Sequence, residues 1–355
     1  MIRLVKPHII DTDKEAINRY LKKIMDNENI DPISNFQNNF SKYIGVKYCN
    51  AVNSGSSALH LALLSLKVGS GDEVICSTHT CVAILNAISY VGAVPNLVDI
   101  KYDVINMNFN IDADKIANEI NDKTKAIIVP HMFGVPANIE KIKRYNIPII
   151  EDGTLSLGAK FSNGELVGSA GDVSIFSLHK SKVISADVGG VILTNNERYK
   201  TEIDSLLSYG NVGKYTVNYN YTMGELNAVL VNEQLKRIDE LIKMRKENAD
   251  KITKILIKNK NISLPDISNN HIYFRYLVEI PENITAEQVV KKGYEYEIEF
   301  GRGVYPALHN YLGLDKKIYT NSEKAQKRIV SIPVYPGLKE KEIEVMCKAL
   351  LNIIS

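Results

Sequence analysis

The sequence lacks the cysteine patterns of metal-binding and disulfide-rich proteins. Its four cysteines, Cys49, Cys76, Cys81 and Cys347, form no CxxC pair, and none joins a histidine at metal-ligand spacing. We therefore expect no metal site. Because nothing in this pattern suggests a disulfide framework, a reducing, cytosolic setting fits best.

An excess of charge of one sign is also absent. The 355 residues include 43 basic and 41 acidic side chains, spread along the chain, for a formal net charge of +2. Proteins that bind nucleic acid usually carry a broad electropositive surface, which this balance does not provide. Nucleic acid is therefore not an expected partner.

Long apolar runs are missing as well. The first residues, MIRLVKPHIIDTDKE, reach acidic side chains before any apolar stretch long enough for a signal peptide, and no later stretch approaches the length of a membrane span. Internal repeats and low-complexity segments are also absent, so a solenoid is not indicated. We expect a cytoplasmic protein with no membrane partner.

The sequence does contain enough apolar material, 45% of its residues, for a large buried sheet. Short apolar runs occur at residues 73–77, 94–100, 126–131, 147–152, 172–177 and 189–194. Between them lie helical patterns, such as residues 57–67 and 82–91, whose apolar side chains recur every three or four positions. This alternation predicts an α/β fold with a mainly parallel sheet covered by helices.

The second half of the chain predicts a smaller α+β unit. A polar loop at residues 214–222 precedes one long helical stretch at 223–257, which we expect to join two domains. The remaining pattern predicts a strand at 272–280, a helix at 286–292, a short strand near Tyr296 and a closing helix at 339–354. A chain of this length suits one large and one small domain. We place the large domain, including its N-terminal helix, at residues 1–240 and the small C-terminal domain at 241–355.

Two acidic residues, Glu151 and Asp152, stand where a buried strand ends. Open parallel sheets bind ligands at the carboxyl ends of their strands, so an acid here is delivered to the ligand-binding edge. A buried carboxylate needs a cationic partner, such as the protonated ring nitrogen of a bound cofactor. Taken alone, an acid at a strand end is more often a helix N-cap or part of a core ion pair.

Lys180 and Lys182 lie in a polar turn between two apolar strands. Desolvation lowers the pKa of an amine and makes it a usable nucleophile, which a Schiff base with a carbonyl requires. Ser177, at the end of the preceding strand, can place its hydroxyl on a phosphate, and Gly189 and Gly190 permit close backbone approach. An exposed loop with two solvated lysines is the alternative.

The segment NSGSSALHLAL places Gly55, Ser56 and Ser57 directly before an amphipathic helix. Backbone N–H groups at a helix N-terminus, together with serine hydroxyls, form an anion site suited to a phosphate. A plain helix cap is the alternative, because serine is common at that position for local reasons.

The order of the three elements, a phosphate site near residue 55, an acid at 152 and a lysine at 182, is more specific than any one of them. Together with NSGSSALHLAL, EDGTLSLGA, GDVSIFSLHKSK, YNYTMGELNAVL, VYPALH and SIPVYPGLKEKEIE, it resembles the DegT/DnrJ/EryC1/StrS family over nearly the whole chain. These are sugar aminotransferases of the fold-type I pyridoxal-phosphate (PLP) superfamily, which also contains aspartate aminotransferase. The resemblance implies a PLP-binding domain with a seven-stranded sheet sandwiched by helices.

The resemblance also implies which residues hold the cofactor. Pyridoxal 5'-phosphate would be bound covalently to Lys182 as an internal aldimine, with Asp152 beside the pyridine nitrogen and Lys180 as a bystander. The phosphate would lie at Ser177 and the turn formed by Gly55, Ser56 and Ser57, and His79 occupies the position of an aromatic residue that stacks on the ring.

Further residues are implied at the substrate side and at a subunit interface. Asn220 resembles an asparagine that a neighbouring subunit donates to the phosphate, which implies a homodimer with active sites at the interface. Tyr305 and His309, together with His179, would lie towards the substrate.

The implied activity is transfer of an amino group, with L-glutamate as donor, to a nucleotide-linked keto-sugar for surface polysaccharide or glycan biosynthesis. Lys182 argues against the dehydratase relatives that carry histidine at this position. Leu155, Thr222 and the turn VISADVGG (residues 183–190) depart from the usual residues, so the substrate wall is altered while the PLP residues are retained. A smaller phosphorylated ketone as acceptor, or a non-catalytic PLP-binding regulatory relative, are the alternatives.

Overall fold

The computed structural model describes residues 1–208, 215–266 and 271–355. Lys214, the first residue of the predicted polar loop, lies outside these ranges. From Tyr215 to Thr222 the chain contains no helix and only one isolated bridge, between Thr222 and Val52. The rest of this predicted loop is therefore irregular, as its polar composition indicates.

Seven strands form the central sheet. They are β1 (Tyr48–Val52), β2 (Glu73–Ser77), β3 (Val94–Val98), β4 (Thr124–Pro130), β5 (Ile149–Asp152), β6 (Val173–Ser177) and β7 (Gly190–Thr194), in the spatial order β1-β7-β6-β5-β4-β2-β3. β7 runs antiparallel to both of its neighbours, and the other pairings are parallel. The predicted mainly parallel, seven-stranded sheet is confirmed.

Helices cover both faces of this sheet. The helices of the large domain are α1 (Asp11–Met25), α2 (Pro32–Ile44), α3 (Gly55–Ser65), α4 (Ala83–Tyr90), α5 (Ile139–Lys143), α6 (Glu197–Leu207) and α7 (Glu225–Leu235), followed by α8 (Ile238–Leu256). Alternate residues of a strand point to opposite faces. Val74 and Cys76 of β2 accordingly pack with α3 and α4, whereas Ile75 packs in the cluster that contains α5.

The small domain is built on a three-stranded antiparallel sheet. Its strands are β8 (Tyr276–Glu279), β9 (Gly301–Arg302) and β10 (Ile329–Ile332), with β10 in the middle, and its helices are α9 (Ala286–Glu295), α10 (Leu308–Tyr311), α11 (Thr320–Arg328) and α12 (Glu340–Ile354). Apolar residues of α9, α12 and the second half of α8 cover the sheet. The predicted α+β unit is confirmed.

Two strand predictions in this domain were wrong in detail. The predicted strand near Tyr296 does not exist, because Tyr296 is the C-cap of α9, and the strand follows at Gly301–Arg302. The predicted strand at 272–280 begins only at Tyr276. Tyr273 has φ 50°, a left-handed conformation that cannot continue a strand.

The single helix predicted for residues 223–257 is two helices, α7 and α8, separated at Lys236 and Arg237. Arg237 leaves the helical conformation with φ −118° and ψ 21°. Its guanidinium donates hydrogen bonds to the Asp13 carboxylate and to the His8 carbonyl at 3.2 Å. These contacts hold the chain at the point where α7 ends.

α8 packs in both domains. Leu241 and Ile242 in its first turns belong to the large-domain cluster, whereas Ile252 and Leu256 near its end belong to the small-domain cluster. The predicted boundary between residues 240 and 241 falls inside this helix and stays a prediction. Within the described ranges, no helix combines the length and the apolar composition needed to cross a lipid bilayer.

Candidate active site

A cavity of about 530 Å³ opens at the carboxyl ends of β4, β5 and β6. The N-terminus of α3 and the turn between β6 and β7 complete the large-domain side of its wall, and the small domain contributes Phe274, Arg275, Gly303 and Val304. The cavity thus lies between the two domains, at the edge where parallel sheets bind ligands.

Asp152, the last residue of β5, lines this cavity. Its side chain is buried, and Oδ1 accepts a hydrogen bond of 3.0 Å from the Thr154 N–H. Burial raises the pKa of Asp152, while the bonds from Thr154 and the nearby charge of Lys182 oppose the rise. A carboxylate in this setting gains from a cationic ligand group.

The Glu151 side chain points away from the cavity and has a structural role. Its carboxylate accepts hydrogen bonds from the backbone N–H groups of Gly168, Ala170 and Gly171, the last two at 2.9 and 2.7 Å, and it lies 3.1 Å from His131 Nε2. Although burial raises the pKa of Glu151, the bonds from His131 and the backbone hold it below its usual value. Of the two strand-end acids, Asp152 is therefore the one that faces the cavity.

Lys182 lies in the turn between β6 and β7, and its side chain reaches the cavity. The turn is fixed by a 2.8 Å hydrogen bond from the Lys182 N–H to the His179 carbonyl. Burial lowers the pKa of Lys182 to about 8, in spite of the opposing charge of Asp152. With that pKa, about one side chain in ten is uncharged at pH 7. Lys180 is exposed and does not line the cavity.

The predicted phosphate site lies at the N-terminus of α3. Gly55 and Ser56 line the cavity in the first turn of the helix, where N–H groups have no acceptor within the helix. Ser177 faces them so closely that a Cβ added to Gly55 would lie 2.9 Å from the Ser177 Cβ. Ser57 does not line the cavity, because its N–H bonds to Ser54 at 3.0 Å and its hydroxyl to Asn53 at 2.6 Å.

The structure does not bring His79 to the cavity. Its ring is fully buried between Phe109 and Phe133, at centroid distances of 6.5 and 6.3 Å, and burial lowers its pKa to about 3. Thr80 and Cys81 line the cavity instead. β2 ends at Ser77, and the irregular backbone between it and α4 places Thr80 and Cys81 at the wall while the His79 ring points into the core.

The three predicted substrate residues lie in different places. His179 lines the cavity, and its Nδ1 is 3.0 Å from the Ser181 hydroxyl. Tyr305 is 58% exposed and lies in a separate groove, with the Arg302 guanidinium carbon 3.2 Å from its ring centroid. His309 is fully buried, 2.7 Å from the Thr78 hydroxyl, and therefore joins the small domain to the end of β2.

Asn220 is exposed and does not line the cavity. The wall residues that sequence reasoning missed include Cys81, His131, Phe274 and Arg275. For Cys81, the polar residues that follow β2 could have indicated that the chain there borders a site. Nothing near Phe274 and Arg275 in the sequence indicates that they face a cavity built largely by residues 54–189.

The residues of the wall fit PLP. The first turn of α3 together with Ser177 can bind a phosphate, and it is so close-packed that no side chain fits at Gly55. Asp152 is a buried acid suited to a pyridinium nitrogen, and Lys182 is a desolvated amine suited to an aldehyde. All three line one cavity. The fold and this wall define a PLP-dependent aminotransferase.

The chain belongs to the DegT/DnrJ/EryC1/StrS aminotransferase family, whose model matches residues 11–351. It is 29% identical to GDP-perosamine synthase of Escherichia coli O157:H7 over 100% of this chain and 99% of that protein. It is 31% identical to dTDP-3-amino-3,6-dideoxy-alpha-D-galactopyranose transaminase of Aneurinibacillus thermoaerophilus, covering 95% of this chain and 94% of the other. The crystal structure of NtdA from Bacillus subtilis with bound cofactor PMP shares the fold, with a TM-score of 0.85, 24% identity and coverage of 98% and 83%.

Proposed function

We propose that the protein transfers an amino group from L-glutamate to a nucleotide-linked keto-sugar for polysaccharide or glycan biosynthesis. The observation that carries the proposal is the cavity wall itself, in which Lys182, Asp152 and the α3 N-terminus face one another. The two relatives named above are a synthase of a GDP-linked amino sugar and a transaminase of a dTDP-linked amino sugar, and both match this chain over nearly its full length.

When bound, PLP supplies an electron sink for the carbon that carries the amino group. The residues of the chain supply position and proton transfer. Gly55, Ser56 and Ser177 would hold the phosphate and so orient the ring, and the Asp152 carboxylate would favour the protonated form of the pyridine nitrogen. Lys182 Nζ, with its lowered pKa, would take the proton from the donor's Cα, become charged, and pass that proton to the cofactor carbon bound to the nitrogen.

Among the described residues, Lys182 is the one lysine that lines the cavity, so the donor and the acceptor are expected to use it in turn. The first product leaves before the second substrate enters, and the kinetics are therefore expected to be ping-pong. Leu155 and Val304 give the wall apolar patches beside its polar groups, which suits a deoxygenated sugar ring.

We also propose that the active unit is a homodimer in which Asn220 reaches the cofactor phosphate of the partner. Two features support this. Asn220 is exposed and does not line the cavity of its own chain, and Tyr215 in the same segment is 87% exposed, more than is usual for a large apolar side chain. Burial against a second copy would cover this segment.

The absorbance spectrum of the PLP-loaded protein before and after addition of L-glutamate tests the function. We expect the band of the lysine-bound cofactor to decrease and the pyridoxamine band to grow, and Lys182→Ala to abolish both the first band and turnover. An unchanged spectrum in the wild type would favour the non-catalytic, regulatory alternative.

The acceptor is tested next with the pyridoxamine-loaded protein. A nucleotide-linked keto-sugar and a triose-type phosphorylated ketone are offered in competition, and the recovery of the original band is followed. We expect the nucleotide-linked ketone to be aminated preferentially. Preference for the small ketone would overturn this part of the proposal and leave the aminotransferase assignment intact.

A further inference from the structure

Arg275 is a cation in the cavity wall for which the proposed chemistry has so far given no role. It lies directly before β8 and lines the cavity from the small-domain side. Its Nη1 donates a long hydrogen bond of 3.4 Å to the Leu4 carbonyl, and its guanidinium carbon lies 5.2 Å from the Phe274 ring centroid. Among the described residues, no carboxylate forms a salt bridge with it.

The cavity therefore has an excess of positive charge on this side. Lys182 Nζ lies 5.5 Å from the centroid of the same Phe274 ring, and the charge of Arg275 is one of the influences that lower the pKa of Lys182. Burial lowers the pKa of Arg275 itself to about 10, with Glu299 opposing the shift. Asp152 is the acid in the wall, and PLP would engage it. Glu299 acts on Arg275 without a direct salt bridge, so the partly buried guanidinium would gain from a ligand that supplies an anion in contact with it.

We propose that Arg275 binds the α-carboxylate of the amino donor. This inference rests on the proposed function, since it assumes that an α-amino acid reacts at Lys182. The α-carboxylate of such a donor is one bond from the carbon that reacts, so it must lie near Lys182, where Arg275 also lies. The planar guanidinium can bind both carboxylate oxygens at once.

The other anions of the reaction fit Arg275 less well. The cofactor phosphate has its own site at Gly55, Ser56 and Ser177, on the large-domain side of the cavity. In a nucleotide-linked sugar the phosphates are separated from a ring ketone by several bonds, so that they project away from the reacting carbon and from Lys182. The amino donor is the substrate whose charge must lie next to its reacting carbon.

The test uses the PLP-loaded protein and maleate, a dicarboxylate that has no amino group and cannot react. Binding of maleate is followed by the shift that it causes in the cofactor absorbance. We expect Arg275→Gln to weaken maleate binding by at least about tenfold, the loss expected for a charge-assisted hydrogen-bond pair. Arg275→Lys, which keeps the charge but loses the fork, should give an intermediate value.

Three controls separate this role from a structural one. Arg302→Gln removes an arginine of the neighbouring groove and should leave maleate affinity unchanged. The melting temperature and PLP affinity of Arg275→Gln should match those of the wild type. In the full reaction, the variant should raise KM for L-glutamate and leave KM for the keto-sugar unchanged.

Equal maleate affinity in wild type and Arg275→Gln would overturn the inference, as would failure of both to bind maleate. A raised KM for the keto-sugar alone would also overturn it, because Arg275 would then serve the acceptor phosphates. Failure of the proposed function looks different. In that case the wild type would not convert L-glutamate at all, although maleate would still bind through Arg275.

Discussion

At the scale of single residues, the distinguishing feature of the cavity is the desolvated amine of Lys182. An amine reacts with an aldehyde only when it is uncharged. Burial lowers the pKa of Lys182 to about 8, and Asp152 acts against this, since a negative charge favours the protonated amine. The balance between burial and the charge of Asp152 therefore sets the pKa of Lys182, and with it the reactivity of the amine.

We predict that reductive methylation of Lys182 in the cofactor-free protein rises with pH to a midpoint of about 8, the pKa that burial gives the amine. In Asp152→Asn the stabilising negative charge is lost, so the pKa falls and the midpoint moves to lower pH. Peptide mass spectrometry measures both, with the exposed Lys180 as an internal reference for reagent concentration. The same midpoint in both proteins would contradict this account of the site.

Sequence patterns identified the residues whose position depends on local structure. Asp152, Ser177 and Lys182 stand at strand ends or in the turn between strands, and periodicity predicts such places well. His79 was assigned to the cofactor, whereas Cys81 lines the cavity, because the path of the chain after β2 decides which side chain faces inward. Arg275 could not be predicted, since its place in the wall depends on how the two domains pack.

At the scale of elements, the carboxyl end of β5 depends on the buried network around Glu151. Three backbone N–H groups of residues 168–171 and the His131 ring all converge on this one carboxylate. The network fastens the loop after β5 to the strand, and the neighbouring residue on that strand is Asp152. A side chain that never touches the cavity therefore fixes one that does.

We predict that Glu151→Gln lowers the free energy of unfolding by about 3–5 kcal/mol, because an amide cannot accept all these bonds and leaves buried donors unpaired. Urea denaturation gives the value. Glu140→Gln, in the exposed pair with Lys143, serves as the matched control and should change stability by less than about 0.5 kcal/mol. A comparably small change in Glu151→Gln would show that the network is dispensable.

The strands were predicted well where the local sequence determines their bounds. β2 begins and ends where its apolar run does, and β4, β5, β6 and β7 differ from their runs by only a few residues. The break between α7 and α8 was missed, because it coincides with contacts of Arg237 to Asp13 and His8, more than 200 positions away in the chain. The spacing of apolar residues along a helix gives no information about such distant contacts.

At the scale of the whole molecule, the proposed dimer makes each active site the product of two subunits. In a symmetric dimer, Asn220 of each subunit would then serve the site that contains Lys182 of the other. A defect at residue 220 and a defect at residue 182 on different subunits would consequently fall on the same site, and would leave the second site intact.

We predict that Lys182→Ala and Asn220→Ala, each nearly inactive alone, recover about a quarter of wild-type activity when they are dissociated, mixed and reassociated. Random pairing makes half of the dimers mixed, and each mixed dimer has one intact site of two. A mixture of Lys182→Ala and Asp152→Asn is the control, because both residues line one subunit's own cavity and no intact site can form. Absence of recovery in the first mixture would contradict the shared site.

The course of α8 has a mechanical consequence. This helix of 19 residues is about 28 Å long, and its two ends are embedded in different apolar cores, with Asn248 tied to the Tyr335 carbonyl at 2.9 Å. Rotating one core against the other would require the helix to bend or one core to open. We therefore expect the two cores to keep their relative orientation when substrates bind, and with it the width of the cavity mouth between them.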